Sequence, residues 1–365
     1  MRVILSGGGT GGHIYPGLAV AQALRQELGP GGRLELLYVG ARGRMDEQIV
    51  GAAGLPFQAV RAAPLRVGSP LAAVRGLASL LAGTAQAWWL LGRFRPDAVF
   101  ATGGYASVPV GLAARLRRRP LLVYLPDVSA GWAVRLLSRL ATRIATTAER
   151  ALAELPTGKA QAVGYPVRPA FWSAGRAAAR RRLGLPEGEP VLLVSGASQG
   201  AHSLNIAVSE QLDGLLELSH VLHLTGRADE QEQLARREAL PEAQRVRYHV
   251  LGYLEEMADA MAAADLAVMR SGASVLGELP AAGLPAVLVP GVYEGGHTQR
   301  PNARYLEEQG AAVVLENDQL ARLTEVVRGL LADEAKRRSM AEAARRLARP
   351  DAAQRLAGML QELAA

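Results

Sequence analysis

A glycine-rich run, Ser6-Gly7-Gly8-Gly9-Thr10-Gly11-Gly12-His13, follows the first apolar stretch and holds the spacing G-x-G-x-x-G at Gly7, Gly9 and Gly12. Glycines at a strand-to-helix turn let a phosphate approach backbone N–H groups at the positive end of a helix. A nicotinamide enzyme would also need an acid at the end of the second strand for a ribose hydroxyl. That strand closes on Val39-Gly40-Ala41-Arg42 with no acid, although Arg42 or Arg44 offers a cation for a 2′-phosphate. His13 ends the run. A loop histidine is often a cap or a solvated residue, but beside a phosphate-type loop a neutral imidazole is a candidate to accept a hydroxyl proton, worth roughly 10²–10⁴ in rate. A second turn, Gly196 to Gly200, carries Ser198, whose hydroxyl and neighbouring N–H groups suit a diphosphate; a plain strand-to-helix turn is the alternative. Arg168, near Pro166 and Pro169, presents a planar fork for phosphate or else is a solvated hinge cation.

The 365 residues contain no Asp-x-Asp pair, no cysteine and six scattered histidines, so neither a metal site nor thiol chemistry is predicted, and no cofactor is expected. Helix dipoles and Arg168 are left to stabilise a leaving diphosphate. With 49% hydrophobic and 21% charged residues, disordered, collagen-like and disulfide-stapled chains are excluded. A globular protein of about two domains remains. The start, Met1-Arg2-Val3-Ile4-Leu5, reads as a strand with no leader before it, which predicts a cytoplasmic protein. The longest uncharged stretch, Gly76 to Gly92, falls short of the roughly 20 residues a membrane span needs.

Net charge is +7, unevenly placed: through Tyr165 there are 19 basic and 8 acidic residues, and beyond it 22 basic and 26 acidic. A basic first half predicts that this half meets an anionic partner. An arginine-writing genome explains the total equally well, though not the asymmetry. Nucleic acid is not the expected partner, because no aromatic residues interleave the arginines.

The elements that must position these residues are legible as apolar runs of strand length. They fall at 3–5, 34–39, 98–101, 121–125 and 143–146, then at 191–194, 221–224, 246–251, 266–269 and 286–289. Continuous Val/Ile/Leu strands alternating with helical segments predict doubly wound parallel sheets covered on both faces. RVILSGGGTGG at 2–12 and PVLLVSGASQG at 190–200 repeat one pattern, an apolar strand running into a glycine turn, so two Rossmann-like domains are expected. Their boundary falls near 165–188; after Arg322 the pattern is helical, with a break at Pro350. Ligands of such sheets bind beyond the carboxyl ends of the strands, so the site is expected in the cleft between the domains.

Taken together the motifs resemble those of the bacterial N-acetylglucosaminyltransferase family that converts lipid I to lipid II. GGGTGGHIYP at 7–16 is similar to the family's N-terminal signature, GGYAS at 103–107 to GGY-[VA]-S, and VGYPVR at 163–168 to VGNPVR. GASQGA at 196–201 with Asn205 resembles GGSQGA-x-x-x-N, and RSGASVLGE at 270–278 resembles RSGA-x-T-x-x-E. AAGLPAVLVP at 281–290 and HTQRPNA at 297–303 follow at the family spacing.

The resemblance implies a GT-B fold with an N-terminal acceptor and membrane-associated domain at 1–165. A C-terminal UDP-GlcNAc domain would span 166–365, its last helices able to pack back on the first. It implies an inverting transfer of GlcNAc from UDP-GlcNAc to the C4 hydroxyl of MurNAc in lipid I, with His13 as the base. Donor contacts are implied at Thr10, Gly11, Gly12, Asp127, Arg168, Ser198, Leu254, Ala273, Ser274, Glu278, Thr298 and Gln299. Of these, Glu278 would accept from the ribose hydroxyls, Gln299 with Thr298 would read the sugar, and the backbone of Leu254 would meet uracil. Gly104, Tyr105 and Ser107 are implied on the acceptor side.

It further implies peripheral attachment to an anionic inner-leaflet surface at the cytoplasmic face. Between Leu65 and Trp89 the apolar Leu71, Val74, Leu77, Leu80, Leu81, Trp88 and Trp89 accompany Arg66 and Arg75, with Arg115 and Arg117 to Arg119 on a later loop. An ordinary core helix is the competing reading of those apolar residues. The chain departs from the family at Tyr124-Leu125-Pro126-Asp127, where His-Glu-Gln-Asn is common, and at Tyr165 and Ala197. A transferase with another acceptor, a UDP-GlcNAc 2-epimerase and a nucleotide-sugar-binding scaffold without turnover remain alternatives.

Overall fold

In a computed structural model the described residues are 1–29, 33–41, 45–62, 70–196, 200–291 and 298–365. They form two compact units: Met1–Val167 together with Arg349–Ala365, and the described residues from Arg168 to Ala348.

The first unit holds a parallel sheet of β1 (Arg2–Ser6), β2 (Glu35–Ala41), β3 (Phe57–Val60), β4 (Ala98–Ala101), β5 (Leu121–Leu125), β6 (Arg143–Thr146) and β7 (Ala160–Ala162), in the order β3-β2-β1-β4-β5-β6-β7. The second holds β8 (Val191–Ser195), β9 (His220–Leu224), β10 (Tyr248–Leu251), β11 (Leu266–Arg270), β12 (Ala286–Val289) and β13 (Ala312–Val314), in the order β10-β9-β8-β11-β12-β13. All ten runs read from the sequence are strands. The three that were not read, β3, β7 and β13, are short edge strands, and only two of their ten positions are buried. An edge strand lacks the two-sided burial that writes a continuous apolar run. β10 begins at Tyr248, because Val246 caps a short helix and is 57% exposed.

The strand orders reverse between β1 and β4 and between β8 and β11, the switch points at which doubly wound sheets open a crevice. The first glycine turn leaves its sheet there, and Gly196 follows β8 at the second. In the first unit the glycine turn runs into helix α1 (Gly11–Leu28), and the chain after β2 forms α2 (Met45–Ala52). The last helix, Ala352–Ala364, buries Leu356 and Leu360 with Val20 and Leu24 of α1, and Gln361 Nε2 donates to Glu27 at 2.8 Å. Gly164 has φ +94° and lies so close to Arg349 that an added Cβ would stand 2.4 Å from it, so this turn requires glycine.

Helix α3 (Pro70–Phe94) reverses the usual amphipathic arrangement. Its inward positions are small, Gly76, Gly83 and Ala87 with Leu91, and a Cβ on Gly83 would stand 2.0 Å from the Arg61 carbonyl. Its outward positions Val74, Leu77, Leu81, Trp88 and Trp89 are 46–63% exposed. The core-helix expectation therefore does not hold for these five; Leu80 is half-buried. Arg66 and the side chain of Leu71 lie outside the described residues.

Candidate functional site

In the first unit the site is built by turns that interlock without side chains between them. Gly103 and Gly104, after β4, have φ of +96° and +74°; a Cβ on Gly104 would stand 2.2 Å from the Gly8 carbonyl, and one on Gly103 would stand 3.2 Å from the His13 ring. Only glycine permits this approach. Thr102 then secures the histidine twice. Its hydroxyl donates to the His13 carbonyl at 2.5 Å, and its own carbonyl lies 2.8 Å from His13 Nδ1. A carbonyl only accepts, so Nδ1 carries the ring hydrogen, and in neutral imidazole Nε2 is left as the acceptor. That is the tautomer a general base needs.

The remaining acceptor-side candidates lie on the same interlocked turns. The Tyr105 ring lies against Gly9, at 3.4 Å from where a Cβ would be. Ser107 is buried and its hydroxyl donates to the Gly104 carbonyl at 2.9 Å, so it closes the turn from within. Thr10 is the exposed N-cap of α1, Gly11 is buried and Gly12 half-buried, its carbonyl accepting from Tyr165 at 3.2 Å. The two tyrosine departures thus act on one linker: Tyr124 donates to the Gly164 carbonyl at 3.0 Å and lies 2.7 Å from Thr147 Oγ1. Burial, reinforced by the charge of Asp127, pushes the Tyr124 phenol far up, and it serves as a neutral hydrogen bonder. Asp127 sits half-buried in the bend after β5.

In the second unit the loops after β11 and β12 are tied together by a buried arginine. Arg270 donates to the Val289 and Pro290 carbonyls, to Asn317 Oδ1 at 2.8 Å and to Ser203 Oγ at 2.6 Å. The Ser271 hydroxyl donates to the Gln299 carbonyl at 3.1 Å, and Gln299 Oε1 accepts from the Gly291 amide at 3.0 Å. Gln299 is therefore a buried loop clamp through its oxygen. Thr298 Oγ1 accepts from the Arg300 amide at 3.2 Å.

Ala273 is buried, and Ser274 caps the helix Val275–Ala282, whose first turn carries Glu278. Burial pushes the Glu278 carboxyl up, while the charge of Arg168 and a hydrogen bond with Ser274 pull it down, so the structure brings these three together. Arg168 also reaches the Glu255 carbonyl at 3.4 Å and lies over the Phe171 ring. Leu254 is half-buried in the turn after β10, and Ser198 lies outside the described residues.

Three residues that hold the candidate site escaped the sequence reading. Thr102 precedes a recognised turn, Arg270 stood inside a quoted motif without a role, and Asp46 lies just beyond the strand end that was searched for an acid. Asp46 contacts the glycine turn itself: Oδ1 accepts from the Gly9 amide at 3.2 Å. A cavity of about 630 Å³ in the second unit lies at the opposite strand ends, beside Asp265 and Pro285, and includes none of the candidates. Among the described residues there is no group of three side chains suited to a metal, and no helix is long and apolar enough to cross a membrane.

Residues 3–146 match the glycosyltransferase family 28 N-terminal domain and residues 191–356 its C-terminal domain. A UDP-N-acetylglucosamine–N-acetylmuramyl-(pentapeptide) pyrophosphoryl-undecaprenol N-acetylglucosamine transferase of Roseiflexus sp. is 42% identical, over 89% of this chain and 85% of its own. The protein of the same name from Halothermothrix orenii is 36% identical, over 91% of both. Among solved structures, MurG of Acinetobacter baumannii superposes with a TM-score of 0.73 at 27% identity, covering 99% of each chain.

Proposed function

Because the chain belongs to glycosyltransferase family 28, and within it to the N-acetylglucosaminyltransferases named above, we propose that it moves GlcNAc from UDP-GlcNAc to the C4 hydroxyl of MurNAc in undecaprenyl-diphospho-MurNAc-pentapeptide, making lipid II for peptidoglycan. Its two parallel-sheet units are those of the GT-B fold. The observation that carries the mechanism is the His13 ring held through Nδ1 by the Thr102 carbonyl, which supports Nε2 as the base. Nε2 takes the proton of the C4 hydroxyl while that oxygen attacks the anomeric carbon of GlcNAc. The bond from that carbon to the β-phosphate oxygen breaks, its electron pair leaves with UDP, and the anomeric configuration inverts through an oxocarbenium-like state.

In this reading the first unit serves the acceptor and adds some donor contacts, and the second holds most of the donor. Glu278 suits the ribose: a carboxylate whose burial disfavours its charge gains from two hydroxyl donors. Arg168, beside it, supplies positive charge toward the leaving diphosphate. Gln299, with its oxygen committed to Gly291, would read a sugar hydroxyl through Nε2. Asp127 and Thr10 belong to the same set of proposed donor contacts, as do Gly11, Gly12, Ser198, Leu254, Ala273, Ser274 and Thr298.

The exposed face of α3 supports peripheral attachment to the anionic inner leaflet, at the cytoplasmic side of the membrane. Five large apolar side chains stand outward there, and the Arg117 guanidinium lies 3.8 Å from the centre of the Trp88 ring. Each such cation near an anionic surface adds about 1 kcal/mol.

The test mixes purified protein, a detergent-solubilised lipid I analogue and labelled UDP-GlcNAc, with an acceptor-free control. Acceptor-dependent transfer of label with UDP release is the expected result. UDP-ManNAc formed without acceptor would mean an epimerase, and UDP-GlcNAc binding with no product a scaffold without turnover.

A further inference from the structure

We infer that Asp46 is a positioning residue of the transfer site, its buried carboxylate holding the glycine turn from beneath so that His13 keeps its place. The inference rests on the reading of His13 as the base and names what supports that base.

Asp46 stands in the first turn of α2 and is 0% exposed. A carboxylate without water must be met by donors. Two backbone amides meet it: Gly9 N donates to Oδ1 at 3.2 Å, and Ala41 N, at the end of β2, donates to Oδ2 at 3.3 Å. The contact extends beyond these bonds, since a Cβ on Gly8 would stand only 2.2 Å from Oδ2. Tyr38 of β2 joins it, its hydroxyl donating to the Gly7 carbonyl at 3.3 Å; burial and then the Asp46 charge push that phenol far up.

Gly8 is thus pressed between Asp46 on one side and Gly104 on the other, and the next residue along, Gly103, abuts the His13 ring. One packed series of backbone contacts runs from the carboxylate to the imidazole. The same geometry redefines the turn. The Gly9 amide points at a protein carboxylate, so this position is a mount for His13, and a phosphate brought to it would meet a buried negative charge.

The experiment is a double-mutant cycle with Asp46→Asn and His13→Ala in full-length protein, reading kcat, KM for each substrate, UDP affinity by calorimetry and the melting temperature. Asn keeps the shape but turns an amide NH₂ toward one of the two backbone donors. Asp46→Asn should lower kcat roughly 10–100-fold, the cost of a displaced catalytic group. UDP affinity should stay within about twofold, since Glu278 and Arg168 lie in the other unit, and KM for UDP-GlcNAc should change less than kcat, because of the proposed donor contacts just Thr10, Gly11 and Gly12 adjoin the turn. In the His13→Ala background the same substitution should cost almost nothing, because the group it positions is gone.

A kcat within about twofold of wild type, or an equal penalty with and without His13, overturns the inference. If Asp46→Asn does not fold, Asp46→Glu, which keeps the charge but crowds Gly8, carries the same cycle with the same criteria. Wild-type protein without acceptor-dependent turnover would instead overturn the reading beneath, and the role of Asp46 with it.

Discussion

The two units start from the same plan, a buried parallel strand followed by a glycine-rich segment and a helix at a switch point, and the described residues around that point are held by different means. In the first unit the support is a wholly buried carboxylate, with backbone meeting backbone through glycines and one histidine ring fixed by a carbonyl. In the second a network of side chains ties the helix after that segment to the neighbouring strands. Asn205 Nδ2 donates to the Thr225 carbonyl at 2.8 Å and to Asp229 at 2.7 Å, its Oδ1 lies 3.0 Å from His223 Nε2, and His223 Nδ1 lies 2.8 Å from the Tyr248 hydroxyl. A repeated scaffold therefore does not repeat its chemistry. The first unit presents a ring nitrogen held ready to accept a hydrogen bond and the second a set of clamped loops near Glu278, a division that suits reaction on one side and recognition on the other.

If that division holds, substitutions in the two units move different constants. His13→Ala should lower kcat by about 10²–10⁴ while UDP affinity, measured by calorimetry, stays near wild type; equal loss of both would erase the distinction. Glu278→Gln should do the reverse, raising KM for UDP-GlcNAc roughly tenfold or more, the worth of hydrogen bonds to a charged acceptor, with a smaller change in kcat. The outward face of α3 should affect neither constant in detergent. Leu77→Asp with Leu81→Asp should weaken binding to anionic vesicles about tenfold in a sedimentation assay, and leave the melting temperature nearly unchanged because both side chains are exposed.

A difference in stability separates the units by pH. Burial holds the His223 pKa down, from 6.5 to about 3, so the folded protein keeps it neutral. Its contribution to stability is complete above pH 6.5 and is lost on acidification toward pH 3, on the order of 1 kcal/mol per pH unit in that window. His249, lowered to about 4 by burial and by His220, adds in the same direction. Urea unfolding between pH 7 and pH 4 should therefore show the second unit weakening first, and His223→Gln should flatten that dependence.

The apolar runs, the two glycine turns and their place at the head of each sheet were legible in the chain, because a strand covered on both faces must be apolar throughout and a tight strand-to-helix turn must use glycine. His13 and Glu278 were also legible as types at positions. Their partners were not. Thr102 lies 89 residues from His13, Asp46 lies 37 from Gly9, and Arg168 is brought near Glu278 from the far side of four strands. Those meetings follow from the strand order, which sets β1 between β2 and β4 and β11 beside β8, and hydrogen-bond geometry at such range leaves no periodic trace along the sequence.

The same holds for the outward residues of α3, whose pattern of large and small residues fits a core helix and a surface helix equally well. The close packing of Gly83 against the Arg61 carbonyl turned the small residues inward and left the tryptophans outside. Composition and periodicity thus determined which elements form, since these depend on local burial. The tautomer of His13, the mount beneath it and the exposed face depended on contacts between distant residues, which exist only once the sheets have assembled.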